Sequence, residues 1–154
     1  MDQSSIVFIS IISAAGLAAL VLAAFFVARA WKHRRRSLEM DDMEGHEFEY
    51  FCADLLRDKG FLDVEGTRGS GDFGVDILAE KDGVTYAVQC KCYNAPIGIK
   101  AVQEIYAGRD YYARMVGVVM TNQYFTSAAV DAAKKLKILL WDRGYLESMM
   151  EELD

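Results

Sequence analysis

Proline, cysteine and histidine are scarce in this chain, whose 154 residues include one proline, three cysteines and two histidines. No low-complexity tract and no repeat at a fixed period is present, which excludes a solenoid. Cys90 and Cys92 do not have the C-x2-C spacing of a zinc site, and His33 and His46 are not placed to complete one. We therefore expect the three cysteines, including Cys52, to be buried or half-buried free thiols.

Charge is absent from one long stretch, the 23 mostly apolar residues 6–28. A helix needs about 20 apolar residues to cross the core of a bilayer, and a buried globular helix is rarely apolar on every face. Basic residues are missing before the stretch and follow it as WKHRRR, whereas a cleaved signal peptide has its basic residues first. Residues 1–31 are therefore predicted to form an uncleaved transmembrane anchor.

The basic cluster after the apolar stretch also predicts the orientation of the anchor. Lys and Arg beside a span favour the cytoplasmic side, so we expect the N-terminus outside and the rest of the chain in the cytoplasm, at a prokaryotic inner membrane. Residues 32–43 form a linker that is first basic and then acidic. Small residues at 14–19 would permit helix pairing and a homodimer, although an alanine-rich span without a partner is the simpler interpretation.

Residues 44–154 carry the periodicities of one α/β domain. Helices are predicted at residues 45–60, 99–114, 128–135 and 145–152, and strands at residues 61–65, 75–80, 84–92, 115–121 and 138–141. The Asp82-Gly83 pair between the second and third strands is a hairpin signal, and the apolar run MVGVVMT is typical of a strand covered on both faces. This order predicts a mixed central sheet flanked by helices.

Three polar side chains interrupt the apolar hairpin formed by the second and third strands. Side chains alternate between the two faces of a strand, so Gln89 and Lys91 point to one face while Val88 and Cys90 point to the apolar side. Asp76, in the adjacent strand, opposes its apolar neighbours in the same way. Three polar groups on one face of a hairpin need either solvent or a function.

Such a set suits metal-assisted hydrolysis of a phosphodiester bond. The Asp76 carboxylate can hold a hard cation such as Mg²⁺ or Mn²⁺, and the side-chain oxygen of Gln89 and the carbonyl of Cys90 can complete the ligand shell. The cation would polarise the phosphate and lower the pKa of a bound water. Lys91 can position that water and stabilise the developing negative charge, and Glu49 on the first helix can approach the same metal.

Seven segments follow one another in the pattern of a known family: GHEFE, LLRDKGF, GSGDFGVD, VQCKCY, AVQEIYAGRDYY, VVMTNQYFTSAA and LLWDRGYL. They resemble Mrr-like restriction endonuclease domains of the PD-(D/E)xK nuclease superfamily over residues 44–146. The resemblance implies a deoxyribonuclease that cuts double-stranded DNA with Mg²⁺. Asp76 then matches the metal-binding aspartate and Glu49 the helix glutamate. Gln89 and Lys91 match the Q-x-K variant of the (D/E)-x-K motif.

Two features depart from the superfamily pattern. The neutral amide of Gln89 replaces an acidic ligand, which is also the habit of this family and predicts weaker Mg²⁺ binding. Trp141 and Arg143 stand where the family tends to have smaller residues, and we expect a local change of packing there. Asp72 matches a family aspartate that is expected to be structural.

The charge of the domain is unfavourable for a nucleic-acid partner. Residues 39–154 hold 12 basic and 22 acidic side chains, a net charge of −10, whereas phosphate neutralisation supplies most non-specific affinity for DNA. The best candidates for DNA contact are basic or small polar residues, the last of them at a helix start: Arg68, Ser70, Lys100 and Thr126.

Each candidate site residue also has a structural interpretation. Asp76 could form a turn, Lys91 could lie at a strand edge and Glu49 could be a solvated helix residue. The main hypothesis remains a membrane-anchored, Mg²⁺-dependent DNA endonuclease, with defence against foreign DNA as one setting. The alternatives are a catalytically inactive DNA-binding module and a protein-interaction module on the same nuclease fold.

Overall fold

A computed structural model describes residue 16 and residues 19–28, 40–67 and 73–151. Contacts within the chain define two units, Met1–Arg36 and Ser37–Asp154. In the first unit residues 19–28 are helical, and their large apolar side chains are 57% to 69% exposed. Within the described ranges no helix is both long and apolar enough to cross a membrane. The other residues of the predicted anchor, and the basic cluster after it, lie outside the described residues.

The second unit has the predicted order of helices and strands. These are α1 (Gly45–Asp58), β1 (Leu62–Gly66), β2 (Ile77–Lys81), β3 (Val84–Lys91), α2 (Ile99–Tyr111), β4 (Val116–Thr121), α3 (Ser127–Leu136), β5 (Ile138–Trp141) and α4 (Arg143–Glu151). The predicted mixed α/β fold is therefore confirmed for this unit. The boundaries shift by a few residues, most clearly for β2, which begins at Ile77 where the sequence predicted Val75.

The five strands form one mixed sheet in the order β1-β2-β3-β4-β5. β1, β2 and β3 are antiparallel neighbours, whereas β3, β4 and β5 pair in parallel. The predicted hairpin joins β2 to β3, and its two turn residues, Asp82 and Gly83, have φ values of +54° and +77°. Two consecutive left-handed residues give the turn type that matches the twist of a hairpin.

Apolar side chains cover the sheet on both faces, with α1 and α4 on one face and α2 and α3 on the other. The alternation along β4 shows how one strand serves both layers. Val118 and Met120 lie in the cluster with α1 and α4, and Val119 lies in the cluster with α2 and α3. The prediction of a strand covered on both faces is confirmed.

The end of the predicted linker packs onto this domain. Met40 is fully buried in the cluster with α1 and α4, and the Asp41 carboxylate pairs with the guanidinium of Arg143. Arg143 also donates from Nε to the Asn122 carbonyl at 2.8 Å. Trp141 stacks on Tyr145, with ring centroids 5.2 Å apart. The bulky pair at 141 and 143 is thus accommodated by contacts with α4 and with the segment before α1.

Candidate active site

Asp76 lies just before β2, where its carboxylate takes the place of a strand carbonyl. Its backbone N–H donates to the Val88 carbonyl at 2.8 Å, and its Oδ2 accepts a hydrogen bond from the Cys90 N–H at 2.6 Å. The Cys90 N–H, on the side of β3 that faces β2, is therefore hydrogen-bonded to a side-chain oxygen at the point where regular pairing of the two strands ends. Metal-binding carboxylates are commonly held by such hydrogen bonds, so this geometry suits a ligand as well as a structural cap.

Gln89 and Lys91 meet at one carboxylate oxygen, Oε2 of Glu104 on α2. Gln89 donates to it from Nε2 at 2.9 Å, and Lys91 Nζ lies 3.2 Å from it. Gln89 is only 1% exposed, and its carbonyl oxygen Oε1 is buried without a hydrogen-bond partner among the described residues. A buried acceptor left without a donor costs about 1–3 kcal/mol, which a bound cation would remove.

Glu104 is also paired with Lys100, whose Nζ lies 3.6 Å from the other carboxylate oxygen. Burial raises the pKa of Glu104, but the hydrogen bond from Gln89 and the charges of Lys91 and Lys100 outweigh it. The pKa of this carboxyl therefore lies below its usual range, and Glu104 is a carboxylate at neutral pH.

Glu49 lies on α1, next to His46. Its Oε2 lies 3.1 Å from Nδ1 of His46, and this hydrogen bond and the charge of Glu49 raise the pKa of the imidazole. The charge of Asp76 raises the pKa of His46 further, by a smaller amount. Both carboxylates therefore stabilise the protonated form of the His46 imidazole.

The cysteines are free thiols, two buried and one half-buried, as expected. The side chain of Cys52, together with burial, raises the pKa of Cys90 well above its usual value. Burial likewise raises the pKa of Cys92. Both thiols are therefore protonated at neutral pH. Because Mg²⁺ prefers oxygen ligands, the candidate ligand at Cys90 is its backbone carbonyl.

The turn that precedes β2 leaves room for the pair formed by Gln89 and Glu104. Gly74 has a φ of +76°, and a Cβ there would lie 2.9 Å from both Gln89 Nε2 and Glu104 Cβ. A Cβ on Gly108, one turn further along α2, would lie 2.6 Å from the Phe73 carbonyl oxygen. Glycine at both positions therefore allows α2 to lie directly against this turn.

Two of the residues predicted to contact DNA, Arg68 and Ser70, lie outside the described residues, as does Asp72. Lys100 has an 85% exposed side chain beside Glu104. Thr126 is the N-cap of α3, and its hydroxyl oxygen accepts a hydrogen bond from the Ala129 N–H at 3.3 Å. A cation is thus exposed beside the site, whereas the threonine hydroxyl already has a structural role.

Glu104 is a site residue that the sequence-based prediction does not contain. Ala101, Ile105 and Gly108 are buried on α2, and Glu104 falls among them at helical spacing. An acidic residue on the inward face of an otherwise apolar helix is the signal that could have identified it. Its partners on β3 could not be read from that spacing.

Among the residues that the structure describes, no three His, Cys, Asp or Glu side chains form a group that could hold a metal ion. Mg²⁺ needs fewer protein ligands, because it keeps several waters and is usually bound through one or two carboxylates and substrate phosphates. Asp76 offers one carboxylate, and Gln89 offers a neutral oxygen, Oε1, that has no hydrogen-bond partner among the described residues. Glu49 offers a second carboxylate.

The model of the family Mrr_cat, restriction endonuclease, matches residues 40–150 of this chain. That range includes Asp76, Gln89, Lys91 and Glu49, and nearly all of the second unit. No curated protein matches the sequence.

Three solved structures are similar to this chain. The DNA modification-dependent restriction endonuclease AspBHI is 19% identical, with a TM-score of 0.59 over 79% of this chain and 35% of its own. MspJI restriction endonuclease, in complex with a 27-mer oligonucleotide, is 19% identical, with a TM-score of 0.53 over 80% of this chain and 31% of its own. AF1548, a protein of unknown function, is 25% identical, with a TM-score of 0.53 over 64% and 62%. The chain spans less than two thirds of each protein, and the two endonucleases show the fold alone.

Proposed function

Because this chain belongs to the Mrr_cat family of restriction endonucleases, we propose that it is a metal-dependent deoxyribonuclease that hydrolyses phosphodiester bonds in double-stranded DNA. One observation carries the proposal. Three consecutive residues of β3 present the Gln89 oxygen, which has no hydrogen-bond partner among the described residues, the N–H that binds the Asp76 carboxylate, and the ammonium group of Lys91. These are the groups that such a reaction needs side by side.

The donor set suits Mg²⁺ or Mn²⁺, since hard cations prefer oxygen ligands. Asp76, Oε1 of Gln89 and Glu49 would hold the ion, with the backbone carbonyl of Cys90 as a further ligand. Such a cation, when bound, polarises the scissile phosphate and lowers the pKa of a bound water. An amide in place of one carboxylate lowers the negative charge of the site, so we expect its affinity for the ion to be modest.

Lys91 would stabilise the negative charge that develops on the phosphate. Its side chain is 22% exposed, so a substrate can reach it from solvent, and Glu104 holds its ammonium group in place. Charged groups that are oriented before the substrate binds lower the barrier most, because they need not reorganise during the reaction.

Residues 1–31 are, in this proposal, a transmembrane anchor that places the domain on the cytoplasmic face of an inner membrane. The support comes from the sequence, in which 23 uncharged residues precede a basic cluster, the pattern of a span with its following segment inside. Incoming DNA crosses this membrane, so defence against foreign DNA is a setting that the anchor would suit. A homodimer formed through the anchor stays a prediction.

A second candidate is a catalytically inactive DNA-binding or protein-interaction module on the same fold. It is favoured by the net charge of −10 on residues 39–154 and by the ion pair through which Glu104 neutralises Lys91. A domain of this charge gains little non-specific affinity for DNA from the release of counterions.

A cleavage assay separates the two candidates. The full chain, purified in detergent, is incubated with supercoiled and linear DNA and with Mg²⁺, Mn²⁺ or a chelator. We expect cleavage that requires metal and that Lys91→Ala lowers by about 100-fold or more, the cost of removing a group that stabilises transition-state charge. Lys135→Ala, at an exposed position on α3, serves as the matched control and should cut as the wild type does.

Cleavage that persists unchanged in Lys91→Ala would come from a contaminant or from another site, and would count against the proposal. If no metal or substrate form gives cleavage, but the protein retards DNA in a gel without metal, the inactive DNA-binding module is the better account. Absence of both cleavage and retardation would favour the protein-interaction module.

A further inference from the structure

The amide nitrogen of Gln89 is held by a carboxylate that is not itself a candidate metal ligand. Gln89 offers the cation a neutral oxygen, and the nearest carboxylate to its amide nitrogen, Glu104, lies on α2. Asp76 binds the backbone of β3 on either side of Gln89, through its N–H at the Val88 carbonyl and through its carboxylate at the Cys90 N–H. Gln89 thus lies between an acid on the hairpin and an acid on the helix.

The hydrogen bond to Glu104 determines which end of the Gln89 amide faces the site. A glutamine side chain has a donor end, NH₂, and an acceptor end, the carbonyl oxygen. A carboxylate can only accept, so the NH₂ group must face Glu104 at 2.9 Å, and the planar amide then turns Oε1 away from Glu104. The same carboxylate oxygen pairs with Lys91 at 3.2 Å, which fixes the ammonium group beside the amide.

We propose that Glu104 is the positioning residue of this site, which locks the Gln89 amide with its carbonyl oxygen toward the cation and holds Lys91 beside it. The inference rests on the proposed function and deepens it, because it explains how a neutral glutamine serves where an acidic ligand would otherwise stand. Gly74 supports the arrangement, since any Cβ there would displace either Gln89 Nε2 or Glu104.

Two variants of nearly unchanged shape test this role. In Glu104→Gln, residue 104 can donate or accept, so the Gln89 amide can bind it in either orientation and Lys91 loses its counter-charge. In the exchange variant, Gln89→Glu with Glu104→Gln, the hydrogen bond is restored in the opposite direction. The total charge is conserved, and position 89 then offers a carboxylate oxygen to the cation.

The main measurement is calorimetric titration of Mn²⁺ into the full chain in detergent without DNA, with thermal unfolding of each variant recorded in parallel. We expect Glu104→Gln to weaken Mn²⁺ binding by about 10-fold or more, the usual cost of losing a partner that orients a metal ligand. The exchange variant should recover at least the wild-type affinity. Asp110→Asn, on the same helix but paired with Arg109, is the matched control and should bind as the wild type does.

Three other results would overturn the inference. If Glu104→Gln only lowers the unfolding temperature and binds Mn²⁺ like the wild type, Glu104 is structural and the nuclease proposal stands. Failure of the exchange variant to recover affinity would show that a hydrogen-bonded pair at positions 89 and 104 is not what supports the cation site. If the wild-type protein itself binds no Mn²⁺ and cuts no DNA, the proposed function fails and the role of Glu104 fails with it.

Discussion

The carboxylate of Asp76 accepts a hydrogen bond from the Cys90 N–H. Asp76 therefore stabilises the backbone of β3 in addition to its proposed role as a metal ligand. Asparagine keeps an oxygen acceptor near the same place, whereas alanine removes it. We expect Asp76→Ala to lower the free energy of unfolding by about 1–3 kcal/mol, the cost of a buried donor without an acceptor, and Asp76→Asn to lower it by less. Both variants should lose metal-dependent cleavage, because neither retains the negative charge that holds the ion.

Urea denaturation and the cleavage assay, applied to both Asp76 variants, check this expectation. A stable Asp76→Asn protein without activity would separate the chemical role from the structural one. Wild-type cleavage by Asp76→Asn would instead remove Asp76 from the metal site and leave it as a cap of the strand.

The pKa of His46 depends on the carboxylates around it, because the hydrogen bond with Glu49 and the charge of Glu49 stabilise the protonated imidazole and raise its pKa. Glu49→Gln removes that charge and should lower the pKa of His46. Adding Mg²⁺ to the wild type should also lower it, since a cation bound by Glu49 and Asp76 repels the imidazolium. Titration of the His46 ring signals by nuclear magnetic resonance, with and without Mg²⁺, measures both shifts. If saturating Mg²⁺ leaves the pKa of His46 unchanged, Glu49 is excluded as a ligand.

At the scale of the helices and strands, two glycines within helices should respond to alanine with opposite signs. A Cβ on Gly144 of α4 would meet only ordinary contacts, at 3.5 Å from Asp142 Oδ1, so Gly144→Ala should stabilise the protein by up to about 1 kcal/mol through helix propensity. A Cβ on Gly108 of α2 would lie 2.6 Å from the Phe73 carbonyl oxygen. Overpacking costs about 1–3 kcal/mol, which outweighs the gain in propensity.

Thermal unfolding of Gly108→Ala and Gly144→Ala checks both signs. Gly108→Ala should also lower the cleavage rate, because a displaced α2 carries Glu104 away from Gln89 and Lys91. Equal stability of the two variants would show that the turn before β2 can shift at little cost in free energy. The close packing of α2 against this turn would then not be needed to hold Glu104 in the site.

The order of helices and strands could be predicted because each element carries its own local signal. The Asp82-Gly83 pair specified the hairpin, and the apolar run of β4 specified a strand covered on both faces. The start of β2 was misplaced for a physical reason. Apolar and polar residues alternate through Asp76, and this alternation predicts a strand. In the structure Asp76 binds β3 through its carboxylate as well as its N–H. Regular pairing of β2 with β3 therefore begins only at Ile77.

The candidate site was predictable where it follows from one strand and not where it joins two elements. Alternation along β3 was enough to pair Gln89 with Lys91. The rotation of α2 relative to the sheet depends on contacts that no spacing reveals, above all the close approach at Gly74 and Gly108. The sequence therefore did not predict Glu104 as a site residue, although it contacts both Gln89 and Lys91 in the folded domain.

At the scale of the whole molecule, the expected anchor can be tested separately from the nuclease. The 154-residue chain, expressed in cells, should stay with the membrane fraction after alkaline carbonate washing, because an apolar span of about 20 residues is held by the bilayer core. Deletion of residues 1–31 should move the protein to the soluble fraction with its cleavage activity unchanged. Release of the undeleted chain by carbonate would contradict the anchor and leave the enzyme proposal intact.

The hydrogen bonds of Asp76 and Gln89 join residues that are close in sequence, whereas the contact between Asp41 and Arg143 joins the two ends of the domain. Asp76 and Cys90 are 14 residues apart, Gln89 and Glu104 are 15 apart, and Asp41 and Arg143 are 102 apart. Loop-closure entropy makes the long contact costlier by about 2 kcal/mol. Asp76, Gln89, Lys91 and Glu104 thus lie in one contiguous segment of about thirty residues that can assemble before the ends of the chain meet, and Glu49 on α1 is the candidate ligand outside it. Such a segment could be transplanted between relatives as a single exchangeable unit, with the outer parts of each chain left free to diverge.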